Sequence, residues 1–234
     1  MKPFPVIPNT ELFLVGGVVR DILLNKPVKD RDFVVVTKLS FKELEKEIEK
    51  IGTIFVSKPE FLTIRCRINK EPIDITFPRA EHGYSDGRRP DEVKKVNSLS
   101  EDASRRDFTI GSLFMDESGN ILDFFGGKKD LENKIIRTVR DPYERFSEDY
   151  LRIARAIRFS LKYGFKIEDK TFEAMKKEAH NLSKISMDRI KDELNLALKY
   201  DAYKTIDYIN QLGIPNLLKD KGLWFELTNK KFNK

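Results

Sequence analysis

The chain has 234 residues, 40% of them hydrophobic and 35% charged, with a net charge of +6; that is enough to bury one or two cores, and the basic excess fits either a polyanionic partner or a lysine-rich solvated surface. One cysteine, Cys66, excludes an internal disulfide framework, and one cysteine with two histidines excludes a structural zinc site. No run approaches the ~18 apolar residues of a membrane span, and the apolar run at the N-terminus is too short for a signal peptide, so no membrane partner and a cytoplasmic location are expected.

Residues 1–10, with three prolines, read as an extended arm. Residues 13–36 read as strand, tight turn, helix, loop, strand. The turn is Gly16-Gly17, Arg20-Asp21 lies one turn into the helix, and the second strand opens Asp30-Arg31-Asp32. A helix start offers free N–H groups and the positive end of a dipole, and glycines let a ligand approach the backbone, so Gly16, Gly17 and Arg20 suit a phosphate. Asp30 and Asp32, two apart on a strand, share a face and repel unless a cation lies between them. Such hard oxygen ligands suit Mg²⁺ bound together with a phosphate chain.

Residues 40–51 form an amphipathic helix with Ser40 as its N-cap. Two or three strands follow, at 53–57, 61–68 and 72–77. In the third, Ile73, Ile75 and Phe77 point one way and Asp74 and Thr76 the other. Asp74 joins Asp30 and Asp32 if the strands are neighbours, and is otherwise an exposed strand carboxylate. Residues 78–104 are polar and turn-rich and read as a long loop. Arg105-Arg106-Asp107-Phe-Thr-Ile starts a helix running to about Met115. A short strand at 121–124, a turn at Gly126-Gly127, and a helical turn and strand over 128–139 come next. From Pro142 the pattern is helical, over 142–163, 169–180, 187–199 and 201–212. The expected organisation is an α+β head over residues 1–138 and an all-helical neck over 139–234.

At 100° per residue, Tyr150, Ile153, Ala154, Ile157 and Leu161 form the buried stripe of the helix at 142–163. Asp149, Arg152 and Arg155 fall on the opposite side, with Arg158 on the flank; a salt-bridged wet face is the plain reading. A second reading is available. An aspartate accepts from an exocyclic amino group while an arginine donates to a ring nitrogen, which is what cytosine and adenine require; uracil and guanine present the opposite polarity. Asp149 with Arg152 would then take C or A and reject U or G.

With these residues in view, the chain resembles the class II tRNA nucleotidyltransferase (CCA-adding enzyme) and bacterial poly(A) polymerase family. The resemblance rests on Gly16-Gly-Val-Val-Arg20-Asp with Asp30-Arg-Asp32; Arg105-Arg-Asp-Phe-Thr-Ile; Asp141-Pro with Arg145-Phe; and Glu148-Asp-Tyr-Leu-Arg152-Ile-Ala-Arg155-Ala-Ile-Arg158. Ile185-Ser-Met-Asp-Arg-Ile is similar to the family's next helix start. The resemblance implies a nucleotidyltransferase head of mixed sheet with flanking helices, Mg²⁺ on Asp30 and Asp32 with Asp74 nearby, and nucleotide contacts from Gly17, Arg20 and Arg106. It places Asp107 near the ribose, and Asp149, Arg152, Arg155 and Arg158 on the base and phosphate side. It makes 79–92 the family's flexible loop. The implied activity is template-independent transfer of CMP or AMP from CTP or ATP to an RNA 3′ end, most naturally that of tRNA. Narrower products (CC, a single A, or a poly(A) tail) and a silent nucleotide- or RNA-binding module are the alternatives. Gly111 stands where the family usually carries Asn. The family's body and tail domains are not found, and Leu223-Trp224-Phe225 is expected to pack on the neck or on a partner subunit.

Overall fold

The computed structural model describes residues 3–28, 31–85, 87, 90–220 and 222. Asp30 and the apolar Leu223-Trp224-Phe225 lie outside them. The chain divides into two compact units, Met1–His82 with Glu92–Leu131, and Gly83–Asp91 with Glu132–Lys234.

The first unit is built on strands β1 (Thr10–Val15), β2 (Arg31–Thr37), β3 (Gly52–Lys58), β4 (Thr63–Ile68) and β5 (Glu71–Thr76), a hairpin of β6 (Arg79–His82) and β7 (Glu92–Lys95), and the short β8 (Phe114–Met115) and β9 (Ile121–Leu122). Its helices are α1 (Gly17–Leu23), α2 (Phe41–Glu49), α3 (Leu99–Ser104) and α4 (Gly127–Glu132). Among the described residues the main sheet has seven strands in the order β3-β4-β5-β2-β1-β8-β9. Its pairs are antiparallel except β2 with β5, which run parallel. Alternating residues of β1 and β2 are buried on both faces. Phe13, Val15 and Val34 join Phe114 and Ala103 of α3 on one side, and Phe33 meets the ring of Phe4 edge-on at 5.0 Å on the other. The N-terminal arm is thus anchored through Phe4. Ser40 caps α2 as expected, in a full capping box with Glu43.

Two expectations fail here. The polar stretch 78–104 is not one loop: it forms the β6–β7 hairpin and α3, whose N-cap is Ser98. Arg105–Ile110 does not open a helix to Met115. Arg105 closes α3, Phe108 is extended, a 3-10 turn spans Thr109–Gly111, and Phe114–Met115 are taken by pairing with Val15 and Leu14. Sheet pairing of a buried strand between β1 and β9 overrides the local helical pattern.

The second unit holds β10 (Ile135–Ile136) paired parallel to β11 (Lys166–Ile167), and helices α5 (Pro142–Glu148), α6 (Leu151–Tyr163), α7 (Asp169–Glu178), α8 (Met187–Tyr200), α9 (Ala202–Gln211) and α10 (Pro215–Asp220). Asp141 caps α5, accepting from Tyr143 N and Glu144 N, with Pro142 in the first turn. The predicted helix over 142–163 is broken at Asp149. That residue is extended (φ −147°, ψ 101°) and its Oδ1 accepts from Leu151 N at 3.0 Å. An aspartate side chain that satisfies the backbone itself competes with helix continuation. The buried stripe is also wider than one face: Leu151, Arg152 and Ala156 are buried along with Ile153, Ala154 and Ile157. No helix among the described residues is long and apolar enough to cross a membrane.

Candidate active site

Two clusters carry the predicted site residues, one in each unit. In the first, β1 ends at Val15 and the chain turns at Gly16 with φ +72°, a left-handed conformation that glycine adopts without strain. Gly16 N donates to Leu113 O at 3.2 Å, which ties the turn to the segment following Arg105–Ile110. A Cβ on Gly16 would lie 3.3 Å from Arg106 Nη1, so this turn and that guanidinium are neighbours. A Cβ on Gly17 would lie 3.2 Å from Arg20 Nη2; the Arg20 guanidinium folds back over the turn, with its Nε on Asp21 at 3.0 Å. A Cβ on Gly111 would lie 3.4 Å from Asp107 Oδ1, so a side chain at the position that departs from the family pattern would be in ordinary contact with Asp107. With only two turns in α1, the charge at this turn comes from Arg20 and Arg106 more than from a helix dipole.

Arg106 is held by a residue the sequence reading did not single out. Asp102, 0% exposed, accepts from Arg106 Nη2 at 2.7 Å, Arg105 Nε at 2.9 Å and Arg79 N at 3.2 Å. Burial alone would push its carboxyl up, but Arg106, Arg105 and these hydrogen bonds outweigh burial and hold it below the usual range. Glu81 adds a second carboxylate, bound to Arg79 and Arg105. The available signal was the i, i+3, i+4 spacing of Asp102, Arg105 and Arg106; its meaning depended on burial.

Parallel pairing of β2 with β5 sets Asp32 opposite Asp74, so the neighbour condition for Asp74 is met. Asp32 is exposed, whereas Asp74 accepts a bidentate pair from Arg65 Nε and Nη2, both at 2.7 Å. A cleft of about 510 Å³ is lined by Asp32, Asp74, Arg65, Phe55 and their neighbours. Among the described residues no group of three or more ligating side chains is clustered. Carboxylate oxygens on an exposed strand start are nonetheless the donors a divalent cation takes.

In the second unit, Asp149 sits in the break between α5 and α6. Burial pushes its carboxyl above the ordinary value, against the pull of Arg152, the Leu151 N–H, Arg189 and Arg155. Arg189, in the first turn of α8, is a member of this cluster that the sequence reading did not name as a site residue. Arg152 is not on a wet face. It is buried, and its Nη1 donates to Arg145 O at 2.7 Å and to Glu148 Oε2 at 2.9 Å. Arg140 and Arg145 also bind Glu148, so three guanidinium groups converge on one carboxylate. Arg155 and Arg158 share Glu193 of α8, and Arg158 stacks over Phe159 with its guanidinium carbon 4.1 Å from the ring centre. Of the three residues expected on one side of the helix, Arg155 therefore departs from Asp149 and Arg152 in its ion pairing and shares Glu193 with the flanking Arg158.

Two family models match stretches of the chain. Residues 12–137 match the poly A polymerase head domain, and residues 164–218 match the probable RNA- and SrmB-binding site of polymerase A. A CCA-adding enzyme of Pediococcus pentosaceus is 44% identical over 181 residues, covering 77% of this chain and 44% of that protein. The solved structure of the Bacillus stearothermophilus CCA-adding enzyme in complex with CTP aligns with a TM-score of 0.75 at 30% identity, covering 86% of this chain and 47% of that one. The Thermotoga maritima CCA-adding enzyme complexed with tRNA aligns with a TM-score of 0.74 at 28% identity, covering 90% and 48%. The chain spans less than half the length of these relatives. With a family match running from Leu12 to Arg137 over a mixed sheet that sets Asp32 beside Asp74 and Arg106 beside Gly16, the chain belongs to the poly A polymerase head-domain family of nucleotidyltransferase fold.

Proposed function

We propose that the chain transfers CMP, AMP or both from CTP and ATP to the 3′ end of RNA, most naturally tRNA lacking its CCA end, releasing pyrophosphate. The observation that carries this reading is the pairing of Asp32 with Asp74 on adjacent strands, next in strand order to the Gly16 turn over which Arg106 lies. The names of the relatives support the substrate class. Asp32, with Asp30, would hold Mg²⁺, and Asp74 lies next to Asp32; two bound metal ions would lower the pKa of the attacking 3′-hydroxyl and neutralise charge on the phosphates. Arg20 and Arg106 support the departing pyrophosphate, Gly16 and Gly17 leave room for the triphosphate, and Asp107 serves the ribose. Asp149 with Arg152 reads the amino group and ring nitrogen of C or A. Glu148 and the Arg145 carbonyl hold Arg152 in place for this, so its position costs nothing to organise when a nucleotide arrives. Arg155 and Arg158 serve the phosphate side.

The test supplies tRNA ending before CCA with CTP, ATP or both, and reads product length. Three added residues are expected with both nucleotides and two with CTP alone; with both present, CC alone, a single A, or a long A tail would select a narrower product. No incorporation with Mg²⁺ present would sink the activity for this chain. Asp30→Ala with Asp32→Ala separates an enzyme, which loses incorporation, from a silent binding module, which has none to lose and keeps its nucleotide.

A further inference from the structure

The strand order places something on the far side of the carboxylates. Reading across the sheet, the Gly16 turn follows β1, Asp32 and Asp74 lie on β2 and β5, and β4 and the edge strand β3 come next. The register continues as a row: Asp32 faces Asp74, Asp74 faces Arg65, and Arg65 faces Val56. At that point β3 carries a bulge between Ile54 and Val56, which leaves Phe55 as the extra residue. A bulge re-aims a side chain. Here it delivers Phe55, 49% exposed, to the cleft that Asp32, Asp74 and Arg65 line. Arg65 is 54% exposed, and its plane is set by its two bonds to Asp74.

In an in-line displacement the attacking hydroxyl and the leaving pyrophosphate lie on opposite sides of the metal-bound phosphorus. The triphosphate side is the β1 side, so the attacking RNA end belongs on the β4–β3 side. A single-stranded RNA end is bound by base stacking on aromatic rings and by cationic contacts to its backbone, which are what Phe55 and Arg65 offer. We infer that Phe55 and Arg65 form the seat of the RNA acceptor's last nucleotide: Phe55 stacks on its base and Arg65 meets its phosphate. This rests on the function proposed above.

The experiment uses the full chain and a tRNA acceptor-stem RNA with 2-aminopurine as its 3′-terminal base. Binding is read by quenching and turnover by incorporation, for the parent, Phe55→Leu, Phe55→Ala and Phe55→Trp. The parent and Phe55→Trp should quench the probe, while Phe55→Leu and Phe55→Ala should not. In the latter two, KM for RNA should rise about tenfold or more, with KM for CTP and kcat at saturating RNA within about twofold of the parent. An RNA with an abasic 3′ end should erase the difference between parent and Phe55→Ala. Equal quenching by Phe55→Leu would reduce Phe55 to apolar cover and overturn the inference. So would a rise in KM for CTP matching that for RNA, or a variant that only dissociates a self-associated form. Absence of quenching by the parent overturns it whether or not nucleotide is incorporated, whereas quenching without incorporation removes the activity and leaves the seat standing.

Discussion

Asp102 in the first unit and Asp149 in the second are both aspartates among arginines, yet they titrate in opposite directions. Asp102 is entirely buried but receives hydrogen bonds from two guanidinium groups and a backbone N–H, and its carboxyl is held below the ordinary range. Asp149 is less buried, and among the described residues its hydrogen bond comes from Leu151 N alone. Its neighbour Arg152 gives its bonds to Glu148 and to a carbonyl, and burial pushes the Asp149 carboxyl up. Burial by itself therefore does not decide a carboxylate's charge; the neighbouring positive charges and the donors set against burial do. Asp102 spends its oxygens on holding Arg106. Asp149 uses one oxygen on the Leu151 N–H at the helix break and keeps acceptor capacity that the amino group of the proposed nucleotide would satisfy.

The largest effect should come from breaking the satisfied site. Asp102→Ala leaves Arg105 and Arg106 without their buried carboxylate and should cost about 3–5 kcal/mol in urea denaturation, with loss of incorporation in whatever fraction stays folded. Glu148→Gln should cost nearly as much, roughly 3 kcal/mol, because Arg145 is 1% exposed and keeps its charge in the interior. Asp149→Asn should leave stability within about 1 kcal/mol of the parent, or raise it slightly, while discrimination against UTP and GTP falls at least about tenfold in kcat/KM ratios. A destabilisation of Asp149→Asn as large as that of Asp102→Ala would erase the contrast.

A pH series from 3 to about 7 sharpens it further. The Asp102 carboxyl is depressed in the fold, so its stabilisation is complete above the ordinary aspartate value near 4 and is lost as pH falls through the folded value. Asp149 is raised, so the cost of its buried charge is absent below the ordinary value and sets in as pH climbs through the folded value. The deficit of Asp102→Asn and the gain of Asp149→Asn should therefore both shrink towards the parent on acidification, from opposite sides. The smallest effect is at Cys66, whose thiol burial and then the Asp74 charge push up to about 12. It should react with a disulfide reagent at pH 8 only as fast as the chain unfolds.

Much of this molecule follows from short-range chemistry written in its residues. The Gly16-Gly17 turn, the capping box of Ser40 and Glu43, and the start of α5 at Asp141-Pro142 each depend on groups within a few positions of one another, and each is legible in order along the chain. What only the tertiary structure decided is what long-range pairing and burial decide. Parallel pairing of β2 with β5 brought Asp74 to Asp32 across some forty residues, and the hairpin of β6 and β7 emerged from a stretch polar enough to read as loop. The helix expected through 142–163 broke because the Asp149 side chain answers its own backbone, so a wheel drawn through the break misjudged the face of Arg152. Phe55 carries no local signature, and the spacing of Asp102 to Arg105 and Arg106 has no meaning until burial is known. Asp102 matters because two guanidinium groups and a backbone N–H converge on a carboxylate that is itself fully buried, Phe55 because a bulge in an edge strand turns it into the cleft, and neither burial nor register can be computed from neighbours in sequence.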